Sequence, residues 1–113
     1  ARKLFEAFES GVPINDLPAS GAPQTRDDAF AIQDATFDLL GRTAGAWKVG
    51  GSPGTEPTAS PIATSKIYPT GQVLSSGAHR NFGVEAEIAF RLGQDLPARE
   101  TAYTPDDIRA AGE

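Results

Sequence analysis

The amino-acid sequence predicts an α+β fold in which N-terminal helices are followed by a mixed β-sheet. Apolar residues recur at three- and four-residue steps in residues 4–8 and 29–40, which is the period of a helix, and a Pro- and Gly-rich loop at 12–24 separates the two segments. From residue 46 onward the period changes to two, which is typical of strands. We therefore treat residues 1–113 as a single segment with a helical part (1–45) and the start of a β-rich part (46–113).

Three helices are expected from local start and stop signals. The first is a short amphipathic helix that ends at Gly11, where a left-handed cap would lie. The second begins after the capping residue Thr25 and ends at Gly41. The third begins after Thr104, where the same hydroxyl and acid pattern recurs with Pro105 at the first helical position.

Strands are expected at residues 46–50 and 84–92, because large and small or apolar and polar side chains alternate there. Residues 67–68 and 72–74 are short strand candidates around a turn. Residues 51–61 are rich in Gly, Pro, Ser and Thr, which predicts a long loop.

Composition restricts the class of protein. The chain has 113 residues, which allows one domain of modest size. Its net charge of −5 has the wrong sign for a nucleic-acid or anionic membrane surface, so we expect neither partner. It has no cysteine, so redox chemistry does not indicate a compartment, and the cytoplasm is the default expectation. It has no apolar stretch of bilayer length, so we expect a soluble protein.

Glu85 and Glu87 are the first candidate site. Two carboxylates two residues apart on a strand share a face, with their Cβ atoms roughly 7 Å apart. At that separation two negative charges repel by about 2 kcal/mol at an effective dielectric near 20, and a bound divalent cation would reverse the sign of that interaction. A hard ion such as Mg²⁺ or Mn²⁺ suits carboxylate ligands. The alternative is a half-exposed strand whose polar face is acidic and has no ligand.

Lys48 is the second candidate. It follows Trp47 and lies between small residues, so its ammonium group could bind a carboxylate substrate or, if desolvated, act as a base. The alternative is a lysine at a strand edge whose charged end remains in solvent.

Several segments together resemble a known family. In chain order they are 28–33 (DAFAIQ), 46–50 (AWKVG), 71–74 (GQVL) with 76–78 (SGA), 84–90 (VEAEIAF) and 95–97 (DLP). These segments resemble the 2-keto-4-pentenoate hydratase family, which includes 4-oxalocrotonate decarboxylases and belongs to the fumarylacetoacetate hydrolase superfamily. The resemblance implies that the β-rich part belongs to the β-roll of that superfamily.

The resemblance also implies a function and a set of site residues. The function is a divalent-metal-dependent lyase that adds water to a 2-hydroxydienoic or 2-oxo-enoic acid in the catabolism of aromatic compounds. Glu85 and Glu87 match the glutamates that bind Mg²⁺ or Mn²⁺, and Lys48 matches a catalytic lysine. Ser76, Gly77 and Ala78 would contact the small-molecule 2-oxo or 2-hydroxy carboxylic acid.

The family resemblance implies further ligands and subunits. The family's third acidic metal ligand follows the helix that begins after Thr104, beyond Glu113, so we expect this sequence to be part of a longer chain. Homo-oligomers are expected from the family. A 4-oxalocrotonate-type decarboxylase, an acylpyruvate hydrolase and a non-catalytic oligomerisation module remain alternatives.

Overall fold

The computed structural model describes residues 1–75 and 83–113, and it divides the chain into two compact units, Ala1–Val73 and Leu74–Glu113. The elements in chain order are α1 (Arg2–Ser10), α2 (Arg26–Leu39), β1 (Ala44–Gly50), β2 (Thr58–Ala63) and α3 (Pro105–Ala111), with short 3₁₀ turns at Ala19–Gly21 and Thr64–Lys66. The described residues thus form three α-helices and one two-stranded antiparallel sheet, which confirms the α+β class.

All three predicted helices are confirmed, and two begin with a capping box. The Thr25 hydroxyl accepts a hydrogen bond from the Asp28 N–H at 3.1 Å, and the Asp28 carboxylate accepts one from the Thr25 N–H at 3.0 Å. Hydrogen bonds from Thr25 and then Gln24 hold the pKa of the Asp28 carboxyl below its ordinary value. Thr104 and Asp107 repeat the same box at the start of α3.

The C-terminus of α2 is closed by a Schellman motif. Gly41 has a φ of 58°, its N–H donates to the Asp38 carbonyl at 2.9 Å, and the Arg42 N–H donates to the Phe37 carbonyl at 3.4 Å. Glycine adopts a positive φ without steric cost because it has no Cβ atom. The motif ends the helix where the sequence predicted and leads the chain into β1.

Strands β1 and β2 form an antiparallel hairpin in which Trp47 lies opposite Pro61 and Lys48 lies opposite Ser60. The strand predicted at 46–50 is confirmed. The loop predicted at 51–61 is wrong in its second half, since the strand begins at Thr58. Pro61 obscures this strand in the sequence because proline cannot donate to a ladder, but a two-stranded sheet has only edge strands, where proline is tolerated.

The strand predicted at 84–92 is not formed. Within it, Leu92 alone makes an isolated bridge, to Gly112, and Val84, Ile88 and Phe90 are 92%, 88% and 86% exposed. Alternation indicates which residues could share a face, but a strand also needs a hydrogen-bonded neighbour. The candidates at 67–68 and 72–74 are not strands either, so the sheet of the described residues is antiparallel rather than mixed.

Few side chains are fully buried. In residues 1–75 and 83–113 the buried ones are Ala63, Ala111 and Thr36. The Thr36 hydroxyl donates to the Ile32 carbonyl at 2.6 Å, so its burial leaves no polar group unsatisfied. Because so little apolar surface is removed from water, hydrogen bonds and helix caps determine a large part of how the elements are arranged.

The second unit is organised around α3. The N–H of Gly93 donates to the Ala111 carbonyl and the N–H of Glu113 donates to the Arg91 carbonyl, both at 2.9 Å. These two bonds flank the bridge between Leu92 and Gly112. They connect the end of α3 to the segment that follows the two candidate glutamates in sequence.

Arg99 holds the start of α3 by several contacts. Its guanidinium group lies 3.7 Å from the centre of the Tyr103 ring, donates to the Thr101 and Ala102 carbonyls at 2.9 and 3.0 Å, and donates to the Asp107 carboxylate at 2.6 Å. The backbone N–H of Thr104 and the Arg99 side chain, in that order, lower the pKa of Asp107 to about 2.

We predict that Gly41→Ala lowers the free energy of unfolding by about 1–2 kcal/mol, because alanine must adopt the left-handed conformation there. Nothing lies within 4 Å of the added Cβ, so the cost is backbone strain and not a clash. Gly50→Ala is the matched control, since its Cβ also meets open space and its φ is not positive. Urea unfolding measures both, and equal stability of the two variants would contradict the assignment.

The cap of α3 should be sensitive to acid. The pKa of Asp107 is lowered from 3.8 to about 2, so its stabilising contribution is complete above pH 3.8 and is lost as the pH falls toward 2. We expect α3 amide signals in NMR spectra to move in that window, and Asp107→Asn to abolish the change. Asp106→Asn retains both hydrogen bonds of the box and should retain the transition. Loss of the transition in that control would refute this explanation.

Candidate functional site

Lys48 lies in the middle of β1 and is exposed. Residues directly opposite each other in an antiparallel pair share a face, so Lys48 and Ser60 lie on the same face of the hairpin. The Ser60 hydroxyl donates to the Oε1 atom of Gln33 in α2 at 2.7 Å. Lys48 therefore belongs to the face of the hairpin that contacts α2.

Gln33 attaches the hairpin to α2 with both ends of its amide group. Its Oε1 atom accepts the hydrogen bond from Ser60, and its Nε2 atom donates to the Ala59 carbonyl at 3.3 Å. A side-chain amide that bonds two consecutive residues of a strand sets both the position and the register of that strand on the helix. This contact fixes the strand opposite Lys48.

Arg26 attaches the loop of the same hairpin. Its guanidinium group donates to the Glu56 carbonyl at 3.2 Å and to the Pro57 carbonyl, and it forms an ion pair with the Glu56 carboxylate at 3.0 Å. The Phe30 ring lies beneath it, 5.2 Å from the guanidinium carbon. The planar guanidinium group serves several acceptors at once, so Arg26 clamps the loop to the first turn of α2.

The bulky side chains of β1 are exposed, and so is Lys48 on the opposite face. Trp47 and Val49 alternate with Lys48 and are 59% and 63% exposed. The smaller residues Ala46 and Gly50 alternate with Trp47 and Val49 and lie, with Lys48, on the face that carries Ser60. The sequence predicts that one face of β1 carries larger side chains than the other. It does not predict which of the two faces lies on the side of Ser60, which contacts α2.

Glu85 and Glu87 lie in the second unit, and both are exposed. The segment that carries them is not a strand, so the pleat that would have placed both carboxylates on one side is missing. Lys48 belongs to the first unit. The predicted substrate contacts Ser76, Gly77 and Ala78 lie outside the described residues.

The two glutamates supply a donor set that suits a hard cation. Mg²⁺ is usually held by one or two carboxylates, with water and substrate oxygens as its other ligands. Among the residues that the structure describes, no group of three or more His, Cys, Asp or Glu side chains is placed to hold a metal ion. Within residues 1–75 and 83–113, Glu85 and Glu87 therefore do not belong to a larger cluster of such side chains.

A groove in the first unit is the feature that sequence reasoning missed. It has a volume of about 450 Å³ and lies between α1, α2 and β2. Leu4, Phe8, Phe37 and Ile62 are among its apolar walls. The helical periodicities predicted the apolar stripes of α1 and α2, but the third wall belongs to β2, which the sequence did not predict.

Comparisons of the chain with protein-family models, with curated proteins and with solved structures found no match. A search of the described helices for a membrane span found none of sufficient length and apolar character.

We predict that Arg26→Gln lowers the free energy of unfolding by about 1 kcal/mol, because two carbonyl acceptors and one carboxylate lose their common donor. Hydrogen exchange should accelerate at residues 51–57. Glu56→Gln is the control, since it retains both carbonyl acceptors and removes only the exposed ion pair. An equal effect of the two variants would show that the ion pair, and not the bonds to the backbone, holds the loop.

Proposed function

We propose that this chain carries part of the active site of a divalent-metal-dependent hydro-lyase, which adds water to a 2-hydroxydienoic or 2-oxo-enoic acid. The observation that carries the proposal is the pair Glu85 and Glu87, separated by one small residue, within the ordered series of segments that resembles the 2-keto-4-pentenoate hydratases. The exposure of both carboxylates supports it, since a ligand can reach them from solvent.

The residues have distinct roles in this proposal. Glu85 and Glu87 would hold Mg²⁺ or Mn²⁺, which when bound supplies stabilisation of the negative charge that develops on the 2-oxo oxygen. Lys48 would orient the substrate carboxylate by charge, or transfer a proton to or from the carbon skeleton. Ser76, Gly77 and Ala78 are proposed to contact the substrate.

Ordering of the glutamate segment has an energetic consequence. Residues 83–91 do not belong to a strand. When two of their carboxylates bind one cation, the backbone between them must therefore become ordered as well. Part of the binding free energy is spent on that ordering. We therefore expect metal affinity to increase when a substrate carboxylate and 2-oxo oxygen complete the coordination.

Two related reactions remain alternatives. A 4-oxalocrotonate-type decarboxylase would use the same metal to stabilise the enolate that remains after CO₂ leaves, and an acylpyruvate hydrolase would cleave a carbon–carbon bond next to the 2-oxo group. These reactions share the 2-oxo acid and the developing charge. Because the substrate class and the charge are the same, the reaction products must be identified to distinguish these enzymes.

A non-catalytic oligomerisation module is the candidate from another class. It is favoured by the exposed apolar residues of the second unit, Val84, Ile88 and Phe90, which a partner surface would cover. In that case the apolar residues on either side of Glu85 and Glu87 would form the contact between subunits. The metal experiment below separates the two classes.

The first test is titration with Mn²⁺ and Mg²⁺, followed by calorimetry and, for Mn²⁺, by electron paramagnetic resonance. We expect Glu85→Gln with Glu87→Gln to weaken metal affinity by about ten-fold or more, because it removes both anionic ligands. Glu6→Gln with Glu9→Gln is the matched control, since it removes two exposed charges from α1. Equal effects of the two double variants would favour the module.

The second test is turnover of 2-hydroxypenta-2,4-dienoate with Mn²⁺ present. Hydration should remove the dienoate absorbance, and Lys48→Gln should reduce the rate at saturating metal without changing metal affinity. Release of CO₂ from 4-oxalocrotonate would instead assign the chain to the decarboxylases. An unchanged rate for Lys48→Gln would contradict the role proposed for Lys48.

A further inference from the structure

The groove between α1, α2 and β2 has the size and walls of a small-molecule site. Its volume of about 450 Å³ falls within the range of about 300–1,000 Å³ that is usual for such sites. Leu4 and Phe8 from α1, Phe37 and Leu40 from α2, and Ile62 from β2 supply apolar surface. The groove lies wholly within the first unit.

The charges around the groove have one sign. Arg42 and Lys66 are among its lining residues, and no Asp or Glu side chain is. Within residues 1–75 and 83–113, neither cation forms an ion pair with a carboxylate. This local excess of positive charge occurs in a chain whose net charge is −5, so it is not a consequence of overall composition.

The fold holds Arg42 at this position. The Schellman motif at the end of α2 fixes its backbone, because its N–H donates to the Phe37 carbonyl. Its guanidinium carbon lies 5.1 Å from the centre of the Phe8 ring, a cation–π contact that connects α1 to the end of α2. The guanidinium group is thus positioned beside the apolar surface.

The other polar side chains of the groove are already engaged within the chain. The Thr36 hydroxyl donates to the Ile32 carbonyl, and the Ser60 hydroxyl donates to the Gln33 amide. Neither hydroxyl has a hydrogen left to donate to a neutral polar ligand, and the Gln33 amide, which also lines the groove, uses one of its two hydrogens on the Ala59 carbonyl. Apolar walls together with two cationic groups therefore favour a ligand that combines an apolar body with an anionic head.

We propose that this groove binds a small organic monocarboxylate with a medium-length apolar body, whose carboxylate faces Arg42 and Lys66. The apolar body would replace water along Phe8, Phe37 and Ile62. The carboxylate would accept hydrogen bonds from the guanidinium and ammonium groups. The proposal uses none of Lys48, Glu85 and Glu87, so it is independent of the lyase function.

The test compares octanoate with octanamide, which has the same apolar body and no charge, by amide chemical-shift mapping and calorimetry on the whole chain. We expect octanoate to bind more tightly than octanamide and to shift the amide signals of groove residues. Arg42→Gln with Lys66→Gln should weaken octanoate binding by roughly three- to ten-fold and leave octanamide binding unchanged, because the contacts of two charged groups with the carboxylate are lost. Salt at 0.5 M should reduce the same difference.

Arg2→Gln with Lys3→Gln is the matched control, since it removes two exposed positive charges of α1 that do not line the groove. It should leave octanoate affinity unchanged, and circular dichroism verifies that all variants are folded. Equal affinity for the two probes, equal effects of the two double variants, or shifts confined to residues outside the groove would each overturn the proposal. A dimer in sedimentation that octanoate dissociates would also overturn it, because the groove would then be an interface between copies.

Discussion

Docking of the β1–β2 hairpin onto α2 is the interaction on which the first unit depends. Ala63 and Thr36 are the buried residues among those described in this unit, so apolar burial alone defines the arrangement weakly. Directed hydrogen bonds from Arg26 and Gln33 instead specify where the hairpin lies along the helix. Such bonds contribute about 1 kcal/mol each to stability. Because they are directional, they also fix the position of the hairpin, which apolar packing does not do.

Both proposed sites include residues of this hairpin. Lys48 lies opposite Ser60, whose hydroxyl contacts α2, and Trp47 is exposed on the other face. The docking also brings Ile62 to the groove that Arg42 borders. The two proposed sites therefore share one structural requirement, although they use different residues and different charges.

Features specified by neighbouring residues could be predicted from the sequence, whereas features that need distant partners could not. The capping box at Thr25 and the Schellman glycine Gly41 act within a few residues, and both helix ends were predicted. The bond between Ser60 and Gln33 spans 27 positions, and the strand it holds was missed. Alternation at 84–92 predicts an apolar side of a strand, but it does not supply the neighbouring strand that pairing requires, and no strand is formed there. The glutamate pair is likewise a local motif, and its geometry depends on that missing partner.

A double-mutant cycle of Gln33→Ala and Ser60→Ala tests the docking most directly. Each single variant removes the same side-chain hydrogen bond, so the double variant should cost less than the sum of the single variants. The account predicts a coupling of about 1 kcal/mol in the free energy of unfolding. Additive effects in variants that remain folded would show that α2 does not position the hairpin through this contact, and would contradict the account.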